Sequence, residues 1–223
     1  LLQPTAGEVV VDGLSTSEPE NLPEIHRRVG LVFQNPENQI VSTTVEREIA
    51  FGLENLGIPV DEMHGTVDRM LAKFKLEKYR HTPPHLLSGG EMQRLALAAI
   101  LAMAPRYVVF DEPTSLLDQR GRHLVLSLVS ELSSPDPDSA VGGAVTPLFI
   151  TQYPEEALCF ARLVVLHRGV VALDGPPAEI FQNVDRLRKL GVAVPIEFEL
   201  NHYLRNISEP QISLNPSEFL PIL

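Results

Sequence analysis

Two neighbouring carboxylates follow an apolar segment of the chain. Asp111 and Glu112 come directly after residues 107–110, Tyr-Val-Val-Phe, a run that predicts a short buried strand. Because successive side chains of a strand point to opposite sides, the two carboxylates can have different tasks. One can hold the hydration shell of Mg²⁺, while the other faces the water that attacks a phosphorus atom. A strand that ends in a solvated acidic turn is the alternative, and the pair alone does not decide between the two.

A glycine turn precedes a predicted helix. Residues 88–94 read Ser-Gly-Gly-Glu-Met-Gln-Arg, and Ser88 with Glu91 forms a capping box that would start a helix without any ligand. The same start leaves backbone N–H groups and the positive end of the helix facing outward. Gly89 and Gly90 lack a Cβ, so a phosphate can approach closely. Capping explains the serine and the glutamate but not two consecutive glycines, and a bound polyphosphate is therefore the favoured interpretation.

The hydrophobic pattern predicts the elements that must position these residues. Strands are expected at 8–13, 29–33, 107–110 and 147–150, and helices at 43–56, 61–76, 121–132, 180–190 and 197–204. A hairpin joins 163–166 to 170–173 through a three-residue turn, 133–146 is expected to be a surface loop, and 210–223 a loosely packed tail. Two strong helices between strand-like segments indicate a helical lobe inserted in an α/β core.

Together these segments resemble the ATP-binding-cassette (ABC) ATPases. Residues 87–94, Leu-Ser-Gly-Gly-Glu-Met-Gln-Arg, are similar to the signature sequence of that family, and 107–112 to its Walker B strand. The run 111–118, Asp-Glu-Pro-Thr-Ser-Leu-Leu-Asp, continues the likeness into the loop that crosses the dimer interface. Residues 31–40 and 44–52 look like the version found in energy-coupling-factor (ECF) transporters, which import vitamins and transition-metal ions.

The resemblance implies an α/β fold of the ABC-type P-loop NTPase, with a RecA-like core, a mainly parallel sheet and an inserted helical lobe. It places the core at 1–35 and 104–178 and the helical subdomain with the signature motif at 36–103. Residues 179–223 would form a C-terminal helical segment and tail. It also implies ATP and Mg²⁺ as cofactors.

The resemblance further implies a role for individual side chains. Two subunits would pair head to tail as a homo- or heterodimer, and each signature motif would close over ATP held by the partner. The implied roles are Glu112 and Gln152 in catalysis, Ser88, Gly89, Gly90, Glu91 and Gln34 in nucleotide binding, Asp111 and Gln34 at the Mg²⁺ ion, and Asp118 at the dimer interface. Taken without the family, a neutral glutamine at a strand end such as Gln34 needs no function.

One position departs from the family pattern. Residues 150–157 are similar to its switch segment, in which a histidine usually follows the threonine, but here the residue is Gln152. A glutamine can donate a hydrogen bond to a phosphate oxygen but cannot titrate. We therefore expect Gln152 to orient phosphate or water with slower turnover.

The phosphate loop is a second departure, because no G-x-x-x-x-G-K-[ST] sequence occurs in the 223 residues. In the family that loop precedes a segment like residues 1–9, so the sequence is expected to be truncated before Leu1. The chain as written is then not expected to bind ATP tightly or to hydrolyse it alone. Two interpretations of the chain follow: a fragment of an active ATPase, or a non-catalytic subunit that lends its signature motif to another chain. The intact carboxylates favour the first.

Composition limits the possible partners. Lys and Arg number 18 against 29 Asp and Glu, and the net charge of −11 argues against a broad nucleic-acid surface. A single cysteine, Cys159, fits a reducing compartment. The longest strongly apolar stretch, 95–104, is far shorter than the about 20 residues of a membrane span. The resemblance implies a peripheral subunit on the cytoplasmic face of the membrane, bound to a transmembrane coupling subunit.

A soluble ABC ATPase outside transport would use the same site and is the remaining alternative. The ECF-like run 34–52 and the acidic charge argue against this alternative, and co-purification with membrane proteins rather than nucleic acid would decide. The transported solute is not encoded in these residues, because its choice belongs to a membrane subunit.

Overall fold

The computed structural model describes residues 4–132 and 145–207. The chain divides into two compact units, Leu1–Ile150 and Thr151–Leu223. The predicted loop lies outside the described residues except at its end, where Thr146 already belongs to a strand, and the predicted tail 210–223 lies outside them entirely. The finer division into core and helical subdomain stays a prediction.

The first unit contains a parallel sheet, as predicted. Its strands β3 (Val29–Val32), β4 (Tyr107–Asp111) and β5 (Thr146–Ile150) lie in the order β3-β4-β5, and both pairings are parallel. The shorter strands β1 (Val10–Val11) and β2 (Leu14–Ser15) form a separate antiparallel pair. Val32 pairs with Phe110 in the register of β3 and β4, so both strands end at the same edge of the sheet.

Five α-helices are described in this unit. They are α1 (Leu22–Arg28), α2 (Val45–Asn55), α3 (Val60–Lys73), α4 (Gly89–Ala102) and α5 (Gln119–Leu132). The predicted apolar stripes are confirmed, because Ile49 on α2 and Met70 on α3 are fully buried. Short 3-10 turns at Pro19–Asn21, Pro36–Asn38, Glu77–Tyr79 and Pro84–Leu86 connect the longer elements.

Helix α4 packs closely against the sheet at Gly30. A Cβ at that position would lie 2.5 Å from Cγ2 of Ile100 and 3.4 Å from Cγ of Pro105. Only a glycine therefore lets the helix approach strand β3 to this distance without a shift. The helix that begins at the glycine turn is thus held on the strand that leads to Gln34.

The second unit is built on a hairpin followed by helices. Strands β6 (Leu163–His167) and β7 (Val170–Gly175) are antiparallel, and helices α6 (Pro154–Ala157), α7 (Pro177–Phe181), α8 (Val184–Leu190) and α9 (Ile196–Asn206) complete it. Its core includes Phe181, Leu187 and Phe198.

The predicted three-residue hairpin turn is wrong. His167 pairs with Val170, so the turn is Arg168-Gly169 alone, with φ of 51° and 80°. Two successive positive φ values match the type I′ turn that fits the twist of a two-residue hairpin.

None of the helices in the described residues is long and apolar enough to cross a bilayer.

Candidate functional site

The ends of β3 and β4 bring two of the predicted site residues together, Gln34 and Glu112. Nε2 of Gln34 donates to Oε2 of Glu112 across 3.3 Å. Because only the amide nitrogen can donate to a carboxylate, the amide oxygen of Gln34 faces elsewhere and can accept. The contact leaves the amide oxygen of Gln34 beside the carboxylate of Glu112, and oxygen ligands of this kind suit Mg²⁺.

The backbone of Glu112 has an unusual conformation that its neighbours hold in place. Its φ is +47°, in the left-handed region that a non-glycine residue seldom adopts. Its N–H donates to the carbonyl of Ile150 at 3.1 Å, and its own carbonyl accepts from the backbone N–H and the hydroxyl of Ser115 at 3.2 and 3.0 Å. Such bonds maintain a backbone that would otherwise relax, and they direct the carboxylate toward Gln34.

Asp111 ends β4 and is exposed. Its carboxylate makes no hydrogen bond or ion pair with any residue in 4–132 or 145–207, so it is open to a ligand. In the same ranges no group of three His, Cys, Asp or Glu could hold a metal ion. Mg²⁺ usually takes one or two protein carboxylates and completes its shell with water and phosphate oxygens. The carboxylate of Asp111 and the amide oxygen of Gln34 fit that donor set.

The glycine turn at the start of α4 adopts the predicted capping box. The Ser88 hydroxyl accepts from the backbone N–H of Glu91 at 3.4 Å, and Oε2 of Glu91 accepts from the backbone N–H of Ser88 at 2.9 Å. The hydroxyl of Ser88 also donates to Oε2 at 2.7 Å. Ser88 and Gly89 are exposed, so this end of a 14-residue helix faces solvent.

The two glycines of the turn are not required by the packing of the chain itself. A Cβ on Gly89 or Gly90 would meet no described atom within 4 Å. Neither residue has a positive φ. A larger side chain would therefore fit the isolated chain, and the open space at the helix start is available to a molecule outside it.

Glu91 is engaged on both carboxylate oxygens. The hydroxyl of Tyr79 donates to Oε1, while Ser88 occupies Oε2. The bond from Tyr79, followed by those from Ser88, lowers the pKa of Glu91 from its ordinary 4.5 to about 2. Glu91 is thus directed into the protein in this structure, and its predicted contact with nucleotide stays a prediction. Tyr79 carries no spacing signal, and the sequence did not identify it.

Gln39 is a second residue that sequence reasoning did not single out. Its side-chain oxygen accepts from the backbone N–H of Phe33 at 3.3 Å, and its nitrogen donates to the carbonyl of Ala96 in α4 at 3.3 Å. The loop that carries Gln34 is therefore tied to the helix that begins at Ser88. The only signal was the membership of Gln39 in the ECF-like run.

Asp118 caps helix α5. Its Oδ1 accepts from the backbone N–H of Gly121 at 2.8 Å, which satisfies one of the free donors at the helix start. Leu116 lies in the same loop and is 66% exposed. The capping role was not predicted, and the role of Asp118 at a dimer interface remains a prediction.

Gln152 belongs to the second unit and is exposed. Its neighbour Thr151 donates to Oε2 of Glu156 at 2.5 Å and accepts from the backbone N–H of Tyr153 at 3.0 Å. These bonds fix the turn that presents Gln152 before α6. Its catalytic role stays a prediction.

Comparisons with known proteins find similarity along nearly the whole chain. The ABC transporter family model matches residues 1–115. The energy-coupling factor transporter ATP-binding protein EcfA1 of Clostridium novyi (strain NT) is 44% identical over 206 residues, covering 92% of this chain and 71% of that protein. The cobalt import ATP-binding protein CbiO of Syntrophus aciditrophicus (strain SB) is 43% identical over 195 residues, covering 87% and 67%.

A solved structure extends the similarity to the fold. That structure is cbiO1 from Clostridium perfringens, described as part of the ABC transporter complex cbiONQ. It aligns with a TM-score of 0.72 and 29% identity, over 90% of this chain and 78% of that chain.

Proposed function

Because the chain belongs to the ABC transporter family of ATP-binding subunits, we propose that it binds and hydrolyses ATP to power an ECF-type importer of vitamins or transition-metal ions. The contact between Gln34 and Glu112 at the edge of the sheet carries the proposal. It joins two side chains with different tasks in phosphoryl transfer, one that binds metal or phosphate and one that activates water.

Each predicted site residue has a distinct task. The Glu112 carboxylate, oriented by Gln34, accepts a hydrogen bond from the attacking water. The water oxygen gains electron density and becomes a stronger nucleophile. The amide oxygen of Gln34 and the carboxylate of Asp111 would hold Mg²⁺, directly or through its water shell. When bound, Mg²⁺ neutralises charge on the β- and γ-phosphates. Gln152 donates to a phosphate oxygen or to the water.

The exposed start of α4 forms the other half of the site. Backbone N–H groups at Gly89 and Gly90, together with the helix dipole, attract a γ-phosphate that a second protomer holds. The open space at both glycines supports this assignment, because nothing within the described chain accounts for the missing side chains. Head-to-tail pairing then places Asp118 and the exposed Leu116 near the partner.

A transmembrane partner would receive the motion that closure of the dimer produces. Exposed apolar side chains of the region around α2, including Val41 and Phe51 at 66% and 45% exposure, support a protein contact there. This arrangement makes the subunit peripheral, at the cytoplasmic face of the membrane.

The function is tested with Glu112→Gln in the full-length protein purified with its membrane partners. Glutamine has the shape of glutamate but cannot draw a proton from water, so hydrolysis should fall by about 100-fold or more while ATP still binds. Release of phosphate and retention of labelled ATP measure the two effects. Hydrolysis at the wild-type rate would contradict the role of Glu112.

A further inference from the structure

We propose that Tyr79 is a positioning residue for the nucleotide site, acting through Glu91 on the hydroxyl of Ser88. The proposal rests on the proposed function, in which the start of α4 faces ATP held by a partner protomer. It adds to that function a residue outside the signature motif, 12 positions before Glu91.

The carboxylate of Glu91 has more partners than helix capping requires. A capping box needs one carboxylate oxygen, which accepts a hydrogen bond from the backbone N–H of the N-cap residue, here Ser88. Oε2 fulfils that task and accepts from Ser88 at 2.9 Å, and Oε1 accepts in addition from the Tyr79 hydroxyl. A carboxylate held at both oxygens cannot rotate about its last bond, so the position of the Ser88 hydroxyl, 2.7 Å from Oε2, is set by Tyr79 as well.

Tyr79 is itself fixed by its own segment. Its backbone N–H donates to the carbonyl of Leu76 at 2.9 Å, and its carbonyl accepts from Thr82 at 2.8 Å. Leu76 is fully buried, and the ammonium of Lys78 lies 4.5 Å from the centre of the Tyr79 ring. The phenol therefore reaches Glu91 from a segment with its own anchor in the core.

The hydroxyl of Ser88 has a single hydrogen, which explains why Tyr79 matters for the contact between Ser88 and phosphate. In this structure that hydrogen points to Glu91. To donate to a phosphate oxygen, the hydroxyl must turn away, and Oε2 then keeps only the backbone N–H of Ser88. The bond from Tyr79 continues to satisfy the carboxylate and restrains it from following the hydroxyl toward the anion. Without the phenol, Glu91 competes more strongly for that hydrogen.

The experiment compares Tyr79→Phe with wild type in the full-length protein purified with its membrane partners. Tyr203→Phe is the control, because Tyr203 is 63% exposed on α9 and lies outside every motif assigned to the nucleotide site. The readouts are kcat and KM for ATP. We expect Tyr79→Phe to lower kcat by about 5- to 50-fold with KM changed less than about twofold, since the signature motif engages only when the dimer closes. Tyr203→Phe should leave both constants at the wild-type values.

Equal kcat for the two variants and wild type would overturn the positioning role and leave the proposed function intact. An inactive wild type would instead overturn the function, and this proposal with it. If Tyr79→Phe fails to fold, Glu91→Asp takes its place, because a side chain one methylene shorter cannot reach Tyr79 and Ser88 together. The same loss of kcat in that variant supports the proposal, and a wild-type kcat overturns it.

Discussion

Gln34 and Glu112 are joined by a 3.3 Å hydrogen bond although 78 positions separate them in the chain. Adjacent parallel strands explain the contact, since Val32, the last residue of β3, pairs with Phe110, one residue before β4 ends at Asp111. The bond orients the carboxylate of Glu112 and leaves the oxygen of Gln34 to accept or to bind a cation. The side chain proposed to bind metal or phosphate is thus hydrogen-bonded to the one proposed to activate water.

Removal of the Gln34 amide should slow hydrolysis without unfolding the protein. In Gln34→Ala the carboxylate of Glu112 loses the hydrogen bond from Gln34 that orients it, so kcat should fall by about tenfold or more. Steady-state phosphate release measures the effect. Gln182→Ala, which removes an exposed glutamine of the second unit, is the matched control and should retain full activity. Equal rates in both variants would refute the role of Gln34.

Two glycine substitutions should separate stability from activity. Gly90→Ala meets no described atom within 4 Å and should leave the free energy of unfolding unchanged or raise it by about 0.5–1 kcal/mol, because alanine favours a helix. ATP hydrolysis should nevertheless fall by about tenfold, since the new methyl obstructs the phosphate.

Gly30→Ala is the opposite case. Its Cβ would lie 2.5 Å from Cγ2 of Ile100, so it should lower the free energy of unfolding by about 1–3 kcal/mol. Urea denaturation compares the stability of the two variants.

Steady-state phosphate release measures hydrolysis in Gly90→Ala. A normal rate in this variant would show that no ligand approaches Gly90.

Acid should weaken the fold through Glu91. Its pKa is lowered to about 2 by Tyr79 and Ser88, against an ordinary 4.5, so the unfolded chain takes up the proton first as the pH falls. The contribution of Glu91 is complete above about pH 4.5 and is lost as the pH falls toward 2. After allowance for solvent screening it amounts to about 1 kcal/mol.

The difference in unfolding free energy between wild type and Glu91→Gln isolates this residue from other carboxylates. Urea denaturation at pH 6, 5, 4 and 3 should show the difference shrinking progressively below about pH 4.5, by part of that amount at pH 3, and a difference independent of pH would contradict the assignment.

Exchange of Gln152 for histidine should change the rate of turnover. Histidine both donates to a phosphate oxygen and exchanges protons near neutral pH, whereas glutamine only donates. Gln152→His in the full-length protein should therefore raise kcat by about two- to tenfold. Gln152→Asn, which also lacks a titratable group, serves as the control and should not raise it. An unchanged rate in Gln152→His would remove the basis for slower turnover with glutamine.

Local features were predicted well because their partners lie within a few residues of one another. The capping box between Ser88 and Glu91 and the apolar stripe of α3 repeat at intervals that the helix itself sets. The same local reasoning gave the turn at Arg168-Gly169 one residue too many. His167 is polar and was assigned to the turn, but it pairs with Val170 and belongs to the strand. The position of Asp118 directly before a helix could also have predicted that it caps α5. It was assigned only to a dimer interface.

The residue types and their spacing determined the family, the parallel sheet and the set of side chains that could act on a nucleotide. Only the tertiary structure decided which of them meet: Gln34 with Glu112, Tyr79 with Glu91, and Gly30 with Ile100. The physical reason is the range of the forces that build each feature. Helix periods and caps depend on neighbours a few residues away, whereas contacts between distant segments depend on how whole strands and helices pack.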